Sequence, residues 1–388
     1  EFHIGENLQL DDFPYVHMMR RIDNELQAMG QERVFYPGEE PFKDGRDWGT
    51  LCNLLNEDYH DLMNRNVIKT DSAAKLLFDR LDRAGLAAGI KPRMGLLKEE
   101  IRDKLASILE KEARTMLNEK HAGYPESFEN KTIIIECARG GPGGASMPLT
   151  GTFGYQYSLP MFCPEILENA VILYIWVTPE ESRRKNADRA DPNDPGSNLH
   201  HGVPMAVMLG DYGCDDMEYL IKNTDVEDTV TVKAHGTTYH VPIGVFDNRV
   251  DKTSFLRSEP DKWDKDKVAE VTKAIRQATD AMFSFGQRKG VDYHFQCPAE
   301  ALVQDDAGRV VGVVAREDFE HYRLALAERL SEERGMSIST GFAWEPDASD
   351  IHSMIERADQ EMYLNKERHH ETMRPSAHLG GCSYSFVN

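Results

Sequence analysis

Residues Ile172–Ala190 read ILYIWVTPEESRRKNADRA and join two different patterns. An apolar run rich in β-branched residues ends at Thr178, which predicts a strand that stops there. Proline suits the first turn of a helix and acidic side chains favour the same turn, so Pro179, Glu180 and Glu181 predict a helix directly afterwards. This stretch therefore predicts a strand-to-helix junction, the repeating unit of α/β proteins.

Three arginines, Arg183, Arg184 and Arg189, follow within the predicted helix. In open α/β sheets ligands bind beyond the carboxyl ends of the strands, and guanidinium groups suit phosphoryl oxygens. A solvated helix face is the other explanation of such a charge run. A loop rich in proline, glycine and aspartate, residues 190–204, comes next and has the composition of a mobile lid. We expect the arginines to contact a phosphate.

Near-continuous apolar runs recur at 132–135, 170–177 and 241–246, the pattern of strands covered on both faces of a parallel sheet. A helix is expected over Val16–Met29 and a short strand over Arg33–Tyr36. The predicted fold class is α/β, with a doubly wound, mostly parallel sheet and a small C-terminal α+β appendage. The predicted divisions are an α/β domain at 1–285 with a helical insertion at about 65–125, a β-hairpin connector at 286–316, an α+β segment at 317–372 and a tail at 373–388.

Two further segments place polar groups after predicted strands. The first contains Asp11 and Asp12, whose carboxylates suit Mg²⁺ binding or proton transfer; Asp12 also suits the start of a helix. The second begins at Glu136 and continues through Arg139 into a glycine-rich loop, which would offer backbone N–H groups to an anion or form a plain surface turn. The loop glycines are Gly140, Gly141, Gly143 and Gly144.

Composition excludes several classes of function. A formal net charge of −21 disfavours binding to nucleic acid, so local basic patches point to a small anion. No apolar run approaches the roughly 20 residues of a membrane span.

The six cysteines are widely spaced without a Cys-x-x-Cys pair, which favours a reducing, cytoplasmic location. The neighbouring His200 and His201, with the acidic segment at 211–216, match no specific zinc pattern.

The junction Val177–Ala190 resembles the turn of P-loop nucleoside and nucleotide kinases that joins a core strand to an arginine-bearing lid helix. LDDFPY (10–15), TIIIECARGG (132–141) and HVPIGVFDN (240–248) resemble other pieces of that fold in the same order, over about residues 8–250. The resemblance implies that Asp11, Asp12 and Glu136 are catalytic or metal-facing, and that Arg183, Arg184 and Arg189 clamp a phosphoryl group. It also implies Mg²⁺ with ATP or another nucleotide as cofactor. The sequence contains no Gly-Lys dipeptide and hence no Walker A loop.

Residues 336–370, which contain the pattern Ala-Asp-x-x-Met-Tyr-x-x-Lys at 358–366, resemble the last strand and helix of a GGDEF (diguanylate cyclase) domain. The signature itself is absent, so cyclase activity is not expected. The matching positions are Ser339, Gly341, Ala358, Asp359, Met362, Tyr363 and Lys366. A weaker similarity links residues 290–315 to a hairpin of flavin-dependent fumarate-reductase-like enzymes, without their dinucleotide fingerprint.

The functional prediction is a cytoplasmic protein that binds a nucleotide or another small phosphorylated ligand, with a phosphotransferase of nucleoside-kinase type as its catalytic form. The alternative is a non-catalytic signalling or interaction protein that carries a degenerate GGDEF-derived module. Neither nucleic acid nor membrane is an expected partner. The sequence makes no prediction of the oligomeric state or the phosphate acceptor.

Overall fold

The computed structural model describes residues 6–128, 131–190, 202–288, 301–304 and 310–314. The chain divides into two compact units, residues 1–293 and 294–388. The lid loop over 191–201, the segment at 317–372 and the tail at 373–388 lie outside the described residues. Among the described helices, none has the length and apolar character to cross a membrane.

Four long helices build the first hydrophobic core. They are α1 (Phe13–Ala28), α2 (Asp47–Asn64), α3 (Ala73–Ala87) and α4 (Glu99–Ala122). Their apolar residues recur at helical spacing, so each helix buries one stripe against the others. All four helices contribute fully buried side chains to this core, among them Met19, Phe78 and Leu105. The helices predicted within 65–125 are confirmed as α3 and α4.

Two sheets contribute the β-structure of the first unit. Strand β1 (Glu6–Asp11) pairs in parallel with β2 (Lys131–Glu136). Strand β3 (Ile172–Trp176) pairs in parallel with β5 (Thr237–Asp247), which also pairs antiparallel with β4 (Thr229–Ala234). The strands predicted at 132–135, 170–177 and 241–246 are therefore confirmed, and the α/β class with them. The described strands of the first unit form two sheets, β1-β2 and β3-β5-β4.

Burial of β3 differs from the prediction of full coverage. Tyr174 is buried, whereas Ile175 is 48% exposed. A second hydrophobic core nevertheless forms where Tyr174, Val230 and Val241 of the mixed sheet meet Leu55 of α2. This core anchors the mixed sheet to the helical half of the unit.

Shorter helices connect and flank the strands. They are α5 (Gly154–Ser158), α6 (Pro164–Asn169), α7 (Pro179–Arg189), α8 (Met205–Gly210) and α9 (Met217–Lys222), followed by the long α10 (Lys265–Arg288). Helix α7 begins where the sequence predicted: Pro179 occupies its first turn and the Thr178 hydroxyl accepts a hydrogen bond from the Glu181 N–H at 3.2 Å.

The second unit contains β6 (Ala301–Gln304) and β7 (Val310–Val314), which pair antiparallel. The two strands predicted in the connector are thus present.

One predicted strand is wrong. Residues Arg33–Tyr36 have no strand partner and adopt irregular structure. The buried carboxylate of Asp23 on α1 accepts hydrogen bonds from the backbone N–H groups of Val34 at 2.5 Å and Tyr36 at 2.7 Å, and from that of Phe35 between them. The Asp23 carboxylate thus accepts the backbone hydrogen bonds that a neighbouring strand would otherwise accept, so the β-branched and aromatic pattern does not lead to a strand here.

Candidate functional site

The carboxyl ends of β1 and β2 place two acidic side chains next to each other. Asp11 and Glu136 are register partners in the parallel pair, and both are the last residues of their strands. Asp11 is half-buried and Glu136 is exposed. The structure therefore brings together two of the three carboxylates that the sequence singled out, at the edge where α/β sheets bind ligands.

The Asp11 carboxyl has a pKa raised to about 6, mainly by burial, with the nearby charges of Asp12 and Glu136 adding to the effect. Two groups oppose this shift: the Phe13 N–H, which donates to Asp11 Oδ1 at 2.8 Å, and the Arg189 guanidinium. Arg189, at the end of α7, therefore lies close enough to Asp11 to act on its charge. This carboxyl titrates near neutral pH, the range in which a proton acceptor is effective.

Asp12 has a different role from its neighbour. It occupies the position before α1, but its side chain makes no capping hydrogen bond; Asp11 bonds the Phe13 N–H instead. The Asp12 carboxylate lies 2.7 Å from Nη1 of Arg139, with side-chain exposures of only 14% and 2%. Asp12 thus compensates a buried charge, and it points away from the solvent side of the strand edge.

Arg139 is enclosed by three other groups. Its Nη1 donates to the Ala138 carbonyl at 2.7 Å, and its Nη2 approaches Cys52 Sγ at 3.5 Å. The guanidinium carbon lies 4.9 Å from the centre of the Trp48 ring, a cation–π distance. Burial opposes the charged form, but the Asp12 carboxylate together with the neighbouring Cys52, Cys137 and Tyr212 outweighs it, so the pKa of Arg139 stays well above its usual value. The sequence predicted that Arg139 lies at the ligand-binding edge of the sheet, but in the structure its side chain is buried in the protein interior.

The glycine-rich loop packs against residues 209–214. The Gly141 N–H donates to the Cys214 carbonyl at 2.8 Å, and the Gly143 N–H donates to the Leu209 carbonyl at 3.1 Å. A side-chain carbon at Gly140 would lie 2.3 Å from the Cys214 carbonyl oxygen, so only glycine fits this close approach. Gly144 has a positive φ of 80°, which also favours glycine. Close backbone packing therefore accounts for these residues, and two of the expected anion-binding N–H groups are already engaged.

The three arginines of α7 have different surroundings. Arg184 is engaged by Glu181 and Asp188 of its own helix and by Asp251. Arg183 pairs with Glu180 at 3.0 Å. Arg183 and Arg184 thus pair with acidic side chains, and Arg189 is the arginine of this helix whose charge acts on Asp11.

Asp211 was not predicted as a site residue, although it lies in the segment that packs on the glycine loop. It is 4% exposed, and its Oδ2 makes no hydrogen bond to any described residue. Burial raises the pKa of this carboxyl to about 6, while a hydrogen bond with Trp48 opposes the shift. Trp48 also stacks edge-to-face with Tyr212, with ring centres 5.7 Å apart. No linear pattern links Trp48 to residues so distant along the chain.

The raised pKa of Asp211 predicts a pH-dependent stability. The folded protein holds this proton more tightly than the unfolded chain, whose carboxyl titrates near 3.8, so stability falls as the pH rises from about 4 to above 6. Relative to about pH 7.5, this group favours folding by about 1.4 kcal/mol at about pH 5, one unit below the folded pKa. In Asp211→Asn this contribution disappears. Urea unfolding of both proteins at the two pH values measures the difference.

The exposed Asp79→Asn variant is the matched control, because its side chain is 60% exposed. It should show the pH dependence of the wild type. An Asp211→Asn protein with an unchanged pH dependence would contradict the assigned role of this carboxyl.

Residues 211–216 show mainly structural contacts. The Asp216 carboxylate accepts hydrogen bonds from the N–H groups of Tyr155 at 2.7 Å and Gln156 at 2.9 Å, at the start of α5. Asp215 accepts a hydrogen bond from the Tyr174 hydroxyl at 2.8 Å. His200 and His201 lie outside the described residues.

No protein-family model, curated protein sequence or solved structure matches this chain. The kinase-like and GGDEF-like resemblances accordingly remain predictions.

Proposed function

We propose that this protein binds a small phosphorylated molecule, a nucleotide as its magnesium complex, at the edge where β1 and β2 end. The observation that supports this proposal most strongly is the register pairing of Asp11 with Glu136 beside Arg189. Two carboxylates and an arginine form a mixed-charge edge that suits a ligand composed of a divalent cation and phosphate oxygens.

The donor set fits magnesium. Mg²⁺ prefers oxygen ligands and is commonly held by one or two carboxylates together with substrate phosphates. Asp11 and Glu136 supply such oxygens from neighbouring strand ends, and a cation between them would offset the repulsion that helps to raise the pKa of Asp11. When bound, magnesium would neutralise phosphate charge.

The catalytic form of the proposal is phosphoryl transfer of the nucleoside-kinase type. Its support is the order of the kinase-like segments along the chain and the parallel pairing of β1 with β2 and of β3 with β5, which is compatible with a doubly wound sheet. In this proposal Asp11 is the candidate proton acceptor for an attacking hydroxyl, and Arg189 orients the phosphoryl group. In this proposal Arg139 and the glycine-rich loop pack beneath the strand ends and do not contact the ligand.

A thermal-shift titration with a panel of nucleotides, each with and without Mg²⁺, tests the proposal. We expect at least one magnesium–nucleotide complex to stabilise the protein, by about 2.7 kcal/mol at a ligand concentration 100 times Kd. Arg189→Ala should lose most of this shift, because one phosphate-facing guanidinium is removed. The matched control is Arg83→Ala, an exposed arginine of α3 whose partner is Glu57. A panel that gives no shift would overturn the proposal.

A further inference from the structure

A second cluster of side chains has the composition of a transition-metal site. The cluster consists of His60 on α2 with Cys163 and Glu165 at the start of α6, and one ligand atom of each lies within 4.8 Å of the other two. His60 Nε2 and Glu165 Oε2 are 3.7 Å apart. We propose that these three residues bind a zinc ion.

The spacing agrees with zinc geometry. Zinc bonds of about 2.0–2.3 Å in a tetrahedral arrangement place neighbouring ligand atoms roughly 3.3–3.8 Å apart. The His60–Glu165 separation already falls in this range. The two separations from Cys163 Sγ are at most 4.8 Å, so zinc binding requires the thiol to lie within bonding distance after side-chain rotation.

The backbone around Cys163 is fixed against α2 by Asn56, one helical turn before His60. Asn56 Nδ2 donates to the Met161 carbonyl at 2.8 Å, and Asn56 Oδ1 accepts a hydrogen bond from the Cys163 N–H at 2.9 Å. His235 Nε2 also lies 2.8 Å from the carbonyl oxygen of Phe162, the residue before Cys163. These contacts hold the thiol close to the imidazole. They are the kind of supporting contacts that keep metal ligands in position.

The ligand types and their charges favour zinc over magnesium or calcium. A thiolate and an imidazole are soft and borderline ligands, which select zinc and similar ions. With the thiol deprotonated, the thiolate and carboxylate carry two negative charges, which balance a divalent cation. Cys163 is buried, whereas the side chains of His60 and Glu165 are 48% and 59% exposed, so an ion can reach the cluster from solvent. Three protein ligands leave a fourth position for water or a substrate group.

This site shares no residue with the proposed nucleotide edge. Its ligands come from α2 and the start of α6, whereas the edge is formed by β1, β2 and α7. No linear pattern indicates this site, because His60 and Cys163 are separated by about a hundred residues and form no Cys-x-x-Cys or His-x-x-x-His pattern.

Cobalt(II) is the probe for this site, because a cobalt–thiolate bond produces a charge-transfer absorption band. The full-length protein is first stripped with a chelator and then titrated with Co²⁺. We expect a thiolate-to-cobalt band that saturates at one equivalent and disappears when Zn²⁺ is added. Proton release on binding, compared in two buffers by calorimetry, should accompany the band, because the thiol must ionise.

Three variants decide the assignment. Cys163→Ser should lose the band, and His60→Gln and Glu165→Gln should each weaken binding by about tenfold or more. Cys214→Ser is the matched control: its thiol donates to the Pro142 carbonyl at 3.1 Å and it should retain the band. Circular dichroism of the metal-free variants confirms that each is folded. Absence of the band in the wild type, or its persistence in Cys163→Ser, would overturn the proposal.

Discussion

Arg139→Met should lower the free energy of unfolding by about 3–5 kcal/mol, because the substitution leaves the Asp12 carboxylate buried without its counter-charge. The methionine side chain preserves much of the apolar contact with Trp48, so the decrease in the free energy of unfolding is due mainly to the missing positive charge. Chemical denaturation of the variant and the wild type under identical conditions measures it. The 2% exposure of the Arg139 side chain and the 2.7 Å separation from Asp12 support this magnitude.

The double variant Asp12→Leu/Arg139→Met is the control for this prediction. Removing both charges avoids the uncompensated carboxylate, so the double variant should be more stable than Arg139→Met alone. Equal stabilities of the two variants would contradict an energetically coupled pair. A loss below about 1 kcal/mol for Arg139→Met would show that the Asp12 charge is solvated in another way.

Asp23→Ala should cost about 3 kcal/mol or more. Three backbone N–H groups, those of residues 34–36, would lose their acceptor, and each unsatisfied buried group costs about 1–3 kcal/mol. The Asp23 side chain is fully buried, so water cannot replace it without rearrangement. Urea unfolding at neutral pH measures the effect, and faster hydrogen exchange of these three amides would locate it.

Two substitutions calibrate the Asp23 result. Asp23→Asn keeps one acceptor oxygen and should lose less stability than Asp23→Ala. The exposed Asp79→Ala should stay within about 0.5 kcal/mol of the wild type. If Asp23→Ala were as stable as Asp79→Ala, the carboxylate would not hold the 34–36 segment.

The regular elements were predictable because their signals are local. The apolar periodicity of α3 and α4, the apolar runs of β2, β3 and β5, and the Thr-Pro-Glu-Glu start of α7 each specify an element within a short window. Residues 33–36 show the limit of this reasoning: their composition favours a strand, but the acceptor for their N–H groups is an aspartate on α1. A local sequence pattern cannot show which distant group will accept the hydrogen bonds of the backbone N–H groups.

The site was predictable only in part, for the same physical reason. Alignment of Asp11 with Glu136 follows from parallel pairing of two strands that end in acids. The arginines could not be distinguished by sequence. Arg139 turns inward because Trp48 and Cys52, distant along the chain, form its surroundings, and Arg184 is engaged by acidic neighbours. Tertiary contacts therefore decide the position of Arg139, whereas Arg184 is engaged mainly by acidic residues of its own helix.

Isothermal titration calorimetry tests the proposal that the paired strand ends bind a magnesium–nucleotide complex. The wild-type protein and the double variant Asp11→Asn/Glu136→Gln are titrated with the nucleotide that gives the largest thermal shift, in Mg²⁺ and in EDTA. We predict one binding site per chain that requires Mg²⁺ and is lost in the folded double variant. Binding that is unchanged in the double variant, or no binding by the wild type, would contradict the claim.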